Sequence, residues 1–149
     1  ACVLQAVIAK VGVFPTVLPE GLKIVPLAQG FDMIPFGNEV EKRYAIAYCP
    51  LTDKGEIPEL DAALTSLCQK LSCKWRIAYV EAELPGGSGL QGSVLFDTGN
   101  QAGPIIRCNY GAINLALLDL GVDATGRFDQ FVALGLGRHR FTDDWLKDG

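Results

Sequence analysis

His139, the single histidine of this 149-residue chain, stands between Arg138 and Arg140, with Asp143 and Asp144 shortly after. Arginine grips a carboxylate or phosphate through its planar N–H fork, and histidine exchanges a proton near neutral pH. The segment 135–145, GLGRHRFTDDW, therefore holds the parts of a small anion site. The plainer alternative pairs Arg138 or Arg140 with Asp143 or Asp144 and pins the tail. A second candidate is the run PGGSGLQGS at 85–93, in which Gly86, Gly87, Ser88 and Gly89 can turn successive backbone N–H groups toward an anion. It lacks the lysine of a phosphate-binding loop and precedes a strand where such loops open a helix, so a plain hairpin connection is the competing reading. Should the two segments meet, the glycine run supplies backbone donors, Arg138 and Arg140 hold charge, and His139 moves the proton.

Glu81 and Glu83 alternate onto one face of a strand, close enough to raise each other's pKa if buried, and such a pair can bind a cation or act as acid and base. The competing reading is the solvated end of a strand. Cysteines 2, 49, 68, 73 and 108 form an odd, irregular set among apolar neighbours, which reads as reduced, buried thiols. With one histidine in the chain, no metal site is expected beyond the Glu81 and Glu83 pair. Cys108 is the thiol to consider as a nucleophile, because a helix amino end after it would lower its pKa. No G-x-S-x-G elbow occurs, His139 has no recognisable serine or cysteine partner nearby, and no cofactor is implied.

Thirteen basic against seventeen acidic residues give a net charge of −4 and a pI near 4.9, which argues against nucleic acid or an anionic membrane as partner. With 49% apolar and 20% charged residues, 1–149 reads as one globular domain. The opening run ACVLQAVIAKVGVF is broken by Gln5, Lys10 and Gly12, too short and mixed to span a membrane, and a cytoplasmic location is the expectation.

These candidates need a scaffold. Residues 2–9 read as a buried strand, and residues 22–27 as an edge strand because Pro26 donates nothing to a ladder. Residues 30–40 lie between glycines and suit a loop over the core. Residues 43–49 alternate weakly and read as a strand. From Pro58 to Leu71, apolar residues recur at helical spacing, with acidic residues at the start. The strand–helix–strand order permits a parallel crossover, giving a mixed sheet.

Residues 73–97 read as the centre of the molecule, a two-faced central strand followed by an antiparallel partner. Asn109 can cap a second helix that Gly121 ends, residues 128–134 suit a short helix, and Thr142 can cap a last turn. The expected fold is α+β, with a mixed, largely antiparallel sheet of about four to six strands covered by two main helices.

The segments IAYVEAELPGGSGLQGSVLF, AINLALLDLGV and FDQFVALGLGRHRFTDDW together resemble a family of small uncharacterised bacterial proteins over about half the chain. GGSGLQ and GLGRHR are the most specific pieces, and the resemblance implies no activity and no residue role. The sequence reading favours a small cytoplasmic binding or protein-interaction domain without a catalytic set, such as an immunity-type neutralising partner, forming a complex with a basic protein. Its alternative is an enzyme or binder for a small anionic ligand. Oligomeric state is left open.

Overall fold

The computed structural model describes residues 3–53, 60–83 and 89–147. Strand β1 (Val3–Lys10) is followed by the two-residue strand β2 (Val25–Pro26), a 3-10 turn and strand β3 (Phe31–Pro35). Helices α1 (Asn38–Tyr44), α2 (Pro50–Asp53) and α3 (Ala62–Leu71) lead to strands β4 (Ile77–Glu83) and β5 (Leu90–Asp97). Short strands β6 (Asn100–Gln101) and β7 (Ile106–Cys108) precede helices α4 (Ala112–Leu120), α5 (Gln130–Ala133) and α6 (Thr142–Trp145).

Among the described residues one seven-stranded open sheet runs in the order β2-β3-β1-β4-β5-β6, with β7 also on β5. Every ladder is antiparallel. A parallel bridge, Val3 to Phe141, ties the tail to β1. The α+β class, the edge position of Pro26, the central β4 and its antiparallel partner β5 are as the sequence suggests. The mixed sheet and the count of four to six strands are corrected. Three strands have only two or three residues, too few for an alternating pattern to register.

Two segments exchange roles with the expectation. Residues 31–35, expected in a covering loop, form β3 and bury Phe31, Met33 and Ile34 against β1. Residues 43–49, expected as a strand, contain the end of α1 instead. Glu39 and Glu41 in its first turn and Lys42 and Arg43 in its last suit the helix dipole, and Arg43 pairs with Glu39 one turn away at 3.1 Å. Ala45, with φ of 57°, then ends the helix in the left-handed region. The parallel crossover disappears with that strand.

The sheet carries a layer on each face. Ile77 and Tyr79 of β4 pack with Leu64, Leu67 and Leu71 of α3 and with Val40 and Leu51, while Ala78, Val80 and Ala82 pack with Ile113, Leu117 and Leu120 of α4 and with Trp145. Each Val, Leu or Ile side chain among these contributes about 1.5–3 kcal/mol when fully buried. Asp61 caps α3 by accepting from the Leu64 N–H at 2.9 Å. Pro58, expected in the first turn, lies outside the described residues. Gly111, not Asn109, stands at the start of α4, and Gly121 ends it as expected. Phe141, not Thr142, precedes α6. Among the described residues no helix is long and apolar enough to cross a membrane.

Candidate functional site

Sheet register brings four positions into one row. Gln5 lies opposite Glu81, Glu81 opposite Gly92, and Gly92 opposite Arg107, across β1, β4, β5 and β7. Tyr79, two residues before Glu81 on β4, shares the face. Over this row lies the main chain of residues 47–52. Glu81, fully buried, accepts from the Leu51 N–H at 2.9 Å, the Thr52 N–H at 3.0 Å, the Thr52 hydroxyl at 3.1 Å and the Tyr79 hydroxyl. Pro50 opens α2 without an N–H, and Glu81 takes the next two N–H groups, of which that of Thr52 is shared with the Cys49 carbonyl at 3.2 Å. Gln5 donates to the Ala47 carbonyl at 3.0 Å and the Tyr79 hydroxyl at 3.1 Å, and accepts from the Cys49 N–H at 3.3 Å. Arg107 Nε donates to the Leu51 carbonyl at 2.7 Å. Gly92 completes the dock, since a Cβ there would stand 2.8 Å from Leu51 Cβ.

Burial pushes the Glu81 carboxyl up from its ordinary range, against the pull of its donors, Tyr79 first. Burial and the Glu81 charge together drive the Tyr79 hydroxyl well above its usual value. Burial, with Glu81 and Glu83 behind it, raises the Cys49 thiol far above a reactive range. Glu83 is half-buried, its Oε2 3.5 Å from the Thr52 hydroxyl. The two glutamates thus share Thr52. Glu81 does not mark a solvated strand end, because α2 covers it. The arrangement holds a loop to a sheet through main-chain donors. Among the described residues, no group of three or more His, Cys, Asp or Glu side chains is placed to hold a metal ion.

The Arg138, His139 and Arg140 segment assembles elsewhere, around the buried Trp145. The His139 ring meets Trp145 edge-on with centroids 4.8 Å apart, and the Arg138 guanidinium lies 4.9 Å from the indole centroid. The Arg140 carbonyl accepts from the Val3 N–H at 2.7 Å. Thr142 Oγ1 accepts from the Gln5 N–H at 3.0 Å and donates to the Val3 carbonyl at 3.3 Å. Asp143 accepts from the Asn38 N–H at 3.2 Å, while Asp144 pairs with Lys147. Main-chain bonds and Trp145 pin this tail, and both aspartates have partners other than the expected arginines. Arg138 also lines a cavity of about 450 Å³ with Leu27, Leu134 and Gly135.

Gly86, Gly87 and Ser88 lie outside the described residues, and with them any meeting of the glycine run and His139. Gly89 is buried just before β5. Val3 pairs with Glu83 on one side and Phe141 on the other, so β1 stands between the end of β4 and the tail. Cys49 and Cys68 are buried thiols as expected, Cys73 is exposed, and Cys108 is half-buried and donates to the Tyr110 carbonyl. Sequence reasoning missed that Gln5, Tyr79 and Thr52 bond into this network. The available signal was Gln5, a polar residue inside an otherwise apolar strand.

The opposite layer presents a different surface. Gln91 accepts from the Ile113 N–H at 3.1 Å and Ser93 donates to the Ala112 carbonyl at 2.8 Å, seating the start of α4 on β5. Ala112, Ile113, Ala116, Leu117 and Leu120 are buried, yet Leu115 and Leu118 on the outer side remain 57% and 58% exposed. A cavity of about 230 Å³ opens beside Leu115, lined also by Leu95, Ala102, Pro104, Ile106 and Asp119. Tyr110 and Asn114 donate to Asp129, holding Tyr110 and the start of α5 near α4. Phe128, next to Asp129, is 81% exposed.

Comparison with protein-family models, with curated proteins and with solved structures finds no match for the chain.

Proposed function

We propose that the protein is a small protein-interaction domain that binds a basic partner through the outer side of α4. The observation that carries this reading is the exposed pair Leu115 and Leu118, one turn apart on a helix already buried on its other side. An apolar centre beside a cavity, with a polar rim, is the anatomy of an anchoring contact, and contiguous exposed apolar surface is unusual for a chain that works alone. Charge selects the partner. Residues 110–134 carry Asp123 and Asp129 against Arg127, with Asp119 paired to Arg76 at 2.6 Å, within a chain of net charge −4. An immunity-type neutralising role suits an acidic domain that covers a basic protein, and the bacterial, cytoplasmic setting suggested by the sequence belongs to the same proposal.

A photo-crosslinking residue at position 118, compared with one at the exposed Lys70 on α3, tests it in the native cells. A discrete heteromeric product from 118, lost on Leu115→Gln substitution and absent from 70, is expected. Equal products from both positions, or none from 118, would sink the reading. Sedimentation of the purified chain separates partner binding from self-association.

A small anionic ligand is the second reading, favoured by Arg138 at its 450 Å³ cavity. Saturable phosphate binding by calorimetry, abolished in Arg138→Ala, supports it; no heat of binding removes it.

A further inference from the structure

Between α1, residue 48 and the tail, a cleft of about 240 Å³ is lined by Val3, Asn38, Glu41, Tyr48, Phe141 and Asp143. It is smaller than the roughly 300–1,000 Å³ sites of drug-sized ligands, and suits a single side chain. Tyr48 and Phe141 are both partly exposed there. The two carboxylates differ. Asp143 is engaged as the cap of α1 through the Asn38 N–H, and a Cβ on Gly37 would fall 2.1 Å from its Oδ1. Glu41 accepts no hydrogen bond and forms no ion pair with its side chain among the described residues, although it is half-buried. Burial first, and then the nearby Asp143 charge, push its carboxyl up. Three cations of neighbouring elements have other partners. Arg43 pairs with Glu20 and Glu39, Lys147 with Asp144, and Lys23 donates to the Leu146 carbonyl.

We infer that this cleft receives the guanidinium of an arginine presented by a protein partner, with Glu41 accepting its N–H fork and the rings of Tyr48 and Phe141 beside its faces. Guanidinium is favoured over ammonium because it is planar, weakly hydrated, able to bond a carboxylate bidentately and able to stack on aromatic rings. The inference does not rest on the α4 surface, which a free arginine derivative need not touch.

Titration of the whole chain with N-acetyl-arginine methylamide, followed by amide NMR, provides the test. Saturable shifts are expected at residues 38–41 and 141–143. Glu41→Gln should weaken binding by about tenfold, the usual worth of a charge-assisted hydrogen bond. Phe141→Ala should weaken it by roughly threefold, in line with an exposed cation–π contact. Glu39→Gln removes the same charge from α1 outside the cleft and should change nothing, and the variant Leu115→Gln should also titrate normally. The inference is overturned if the shifts do not saturate, if Glu39→Gln weakens binding as much as Glu41→Gln, or if N-acetyl-lysine methylamide binds as tightly.

Discussion

The two faces of the sheet each seat the start of a helix on strand side chains, but with different chemistry. On one face an ionisable Glu81 gathers four donors from α2 and β4 in full burial, and Arg107 fastens the Leu51 carbonyl beside it. On the other, neutral Gln91 and Ser93 make one bond each to the start of α4, and apolar packing does the rest. The first arrangement closes over its polar groups. The second leaves Leu115 and Leu118 facing outward. Residues that look chemical in the sequence can thus be consumed by internal bonding, while the outer side of α4 exposes ordinary leucines.

The comparison breaks most severely at Glu81. Glu81→Ala leaves the buried Leu51 N–H and Tyr79 hydroxyl without an acceptor, while Thr52 keeps the Cys49 carbonyl and Glu83; at about 1–3 kcal/mol for each unsatisfied group, a loss of roughly 2–5 kcal/mol is expected in urea unfolding. Its charge state adds a pH signature. The folded-state pKa is raised, so the favourable contribution of Glu81 is fully present below its unfolded value and is lost as pH rises through the folded one. The stability of the wild type relative to Glu81→Gln should therefore fall as pH rises above the ordinary carboxylate range. A flat difference across that window would contradict the burial argument.

Smaller effects follow in order. Gly92→Ala forces a methyl group onto Leu51 and should cost roughly 1–3 kcal/mol, with α2 released from the sheet and faster amide exchange at Leu51 and Thr52. Gly37→Ala displaces the Asp143 carboxylate from α1 and should cost about 1 kcal/mol, the usual worth of a helix cap, measurable as a lowered thermal midpoint. Leu115→Gln with Leu118→Gln should shift stability by no more than about 0.5 kcal/mol per site, since both side chains are largely outside the core.

Long periodic elements were legible in the sequence because their burial pattern repeats: α3, α4, β1, and the β4 and β5 pair. Short elements were not, since β2, β6 and β7 are too brief to show a period. Residues 43–49 alternate by chance, while the charge order of NEVEKRY and its Glu39 to Arg43 pair decide for helix. At the candidate sites, Glu81 was visible but its partners were not. The row depends on strand register and on the backbone N–H groups of α2, which no side-chain pattern encodes. The Arg138, His139 and Arg140 segment was conspicuous by composition, and the packing of Arg138 and His139 on Trp145 depends on tertiary contact that no local pattern encodes.

Crosslinking from position 128, beside the α4 surface, in the chain carrying Leu115→Gln and Leu118→Gln, measures the division of labour most directly when unfolding is followed on the same protein. The account predicts an unchanged folded fraction together with loss of the partner product that the parent chain gives from the same position. A product that persists undiminished in the stable double variant would contradict it.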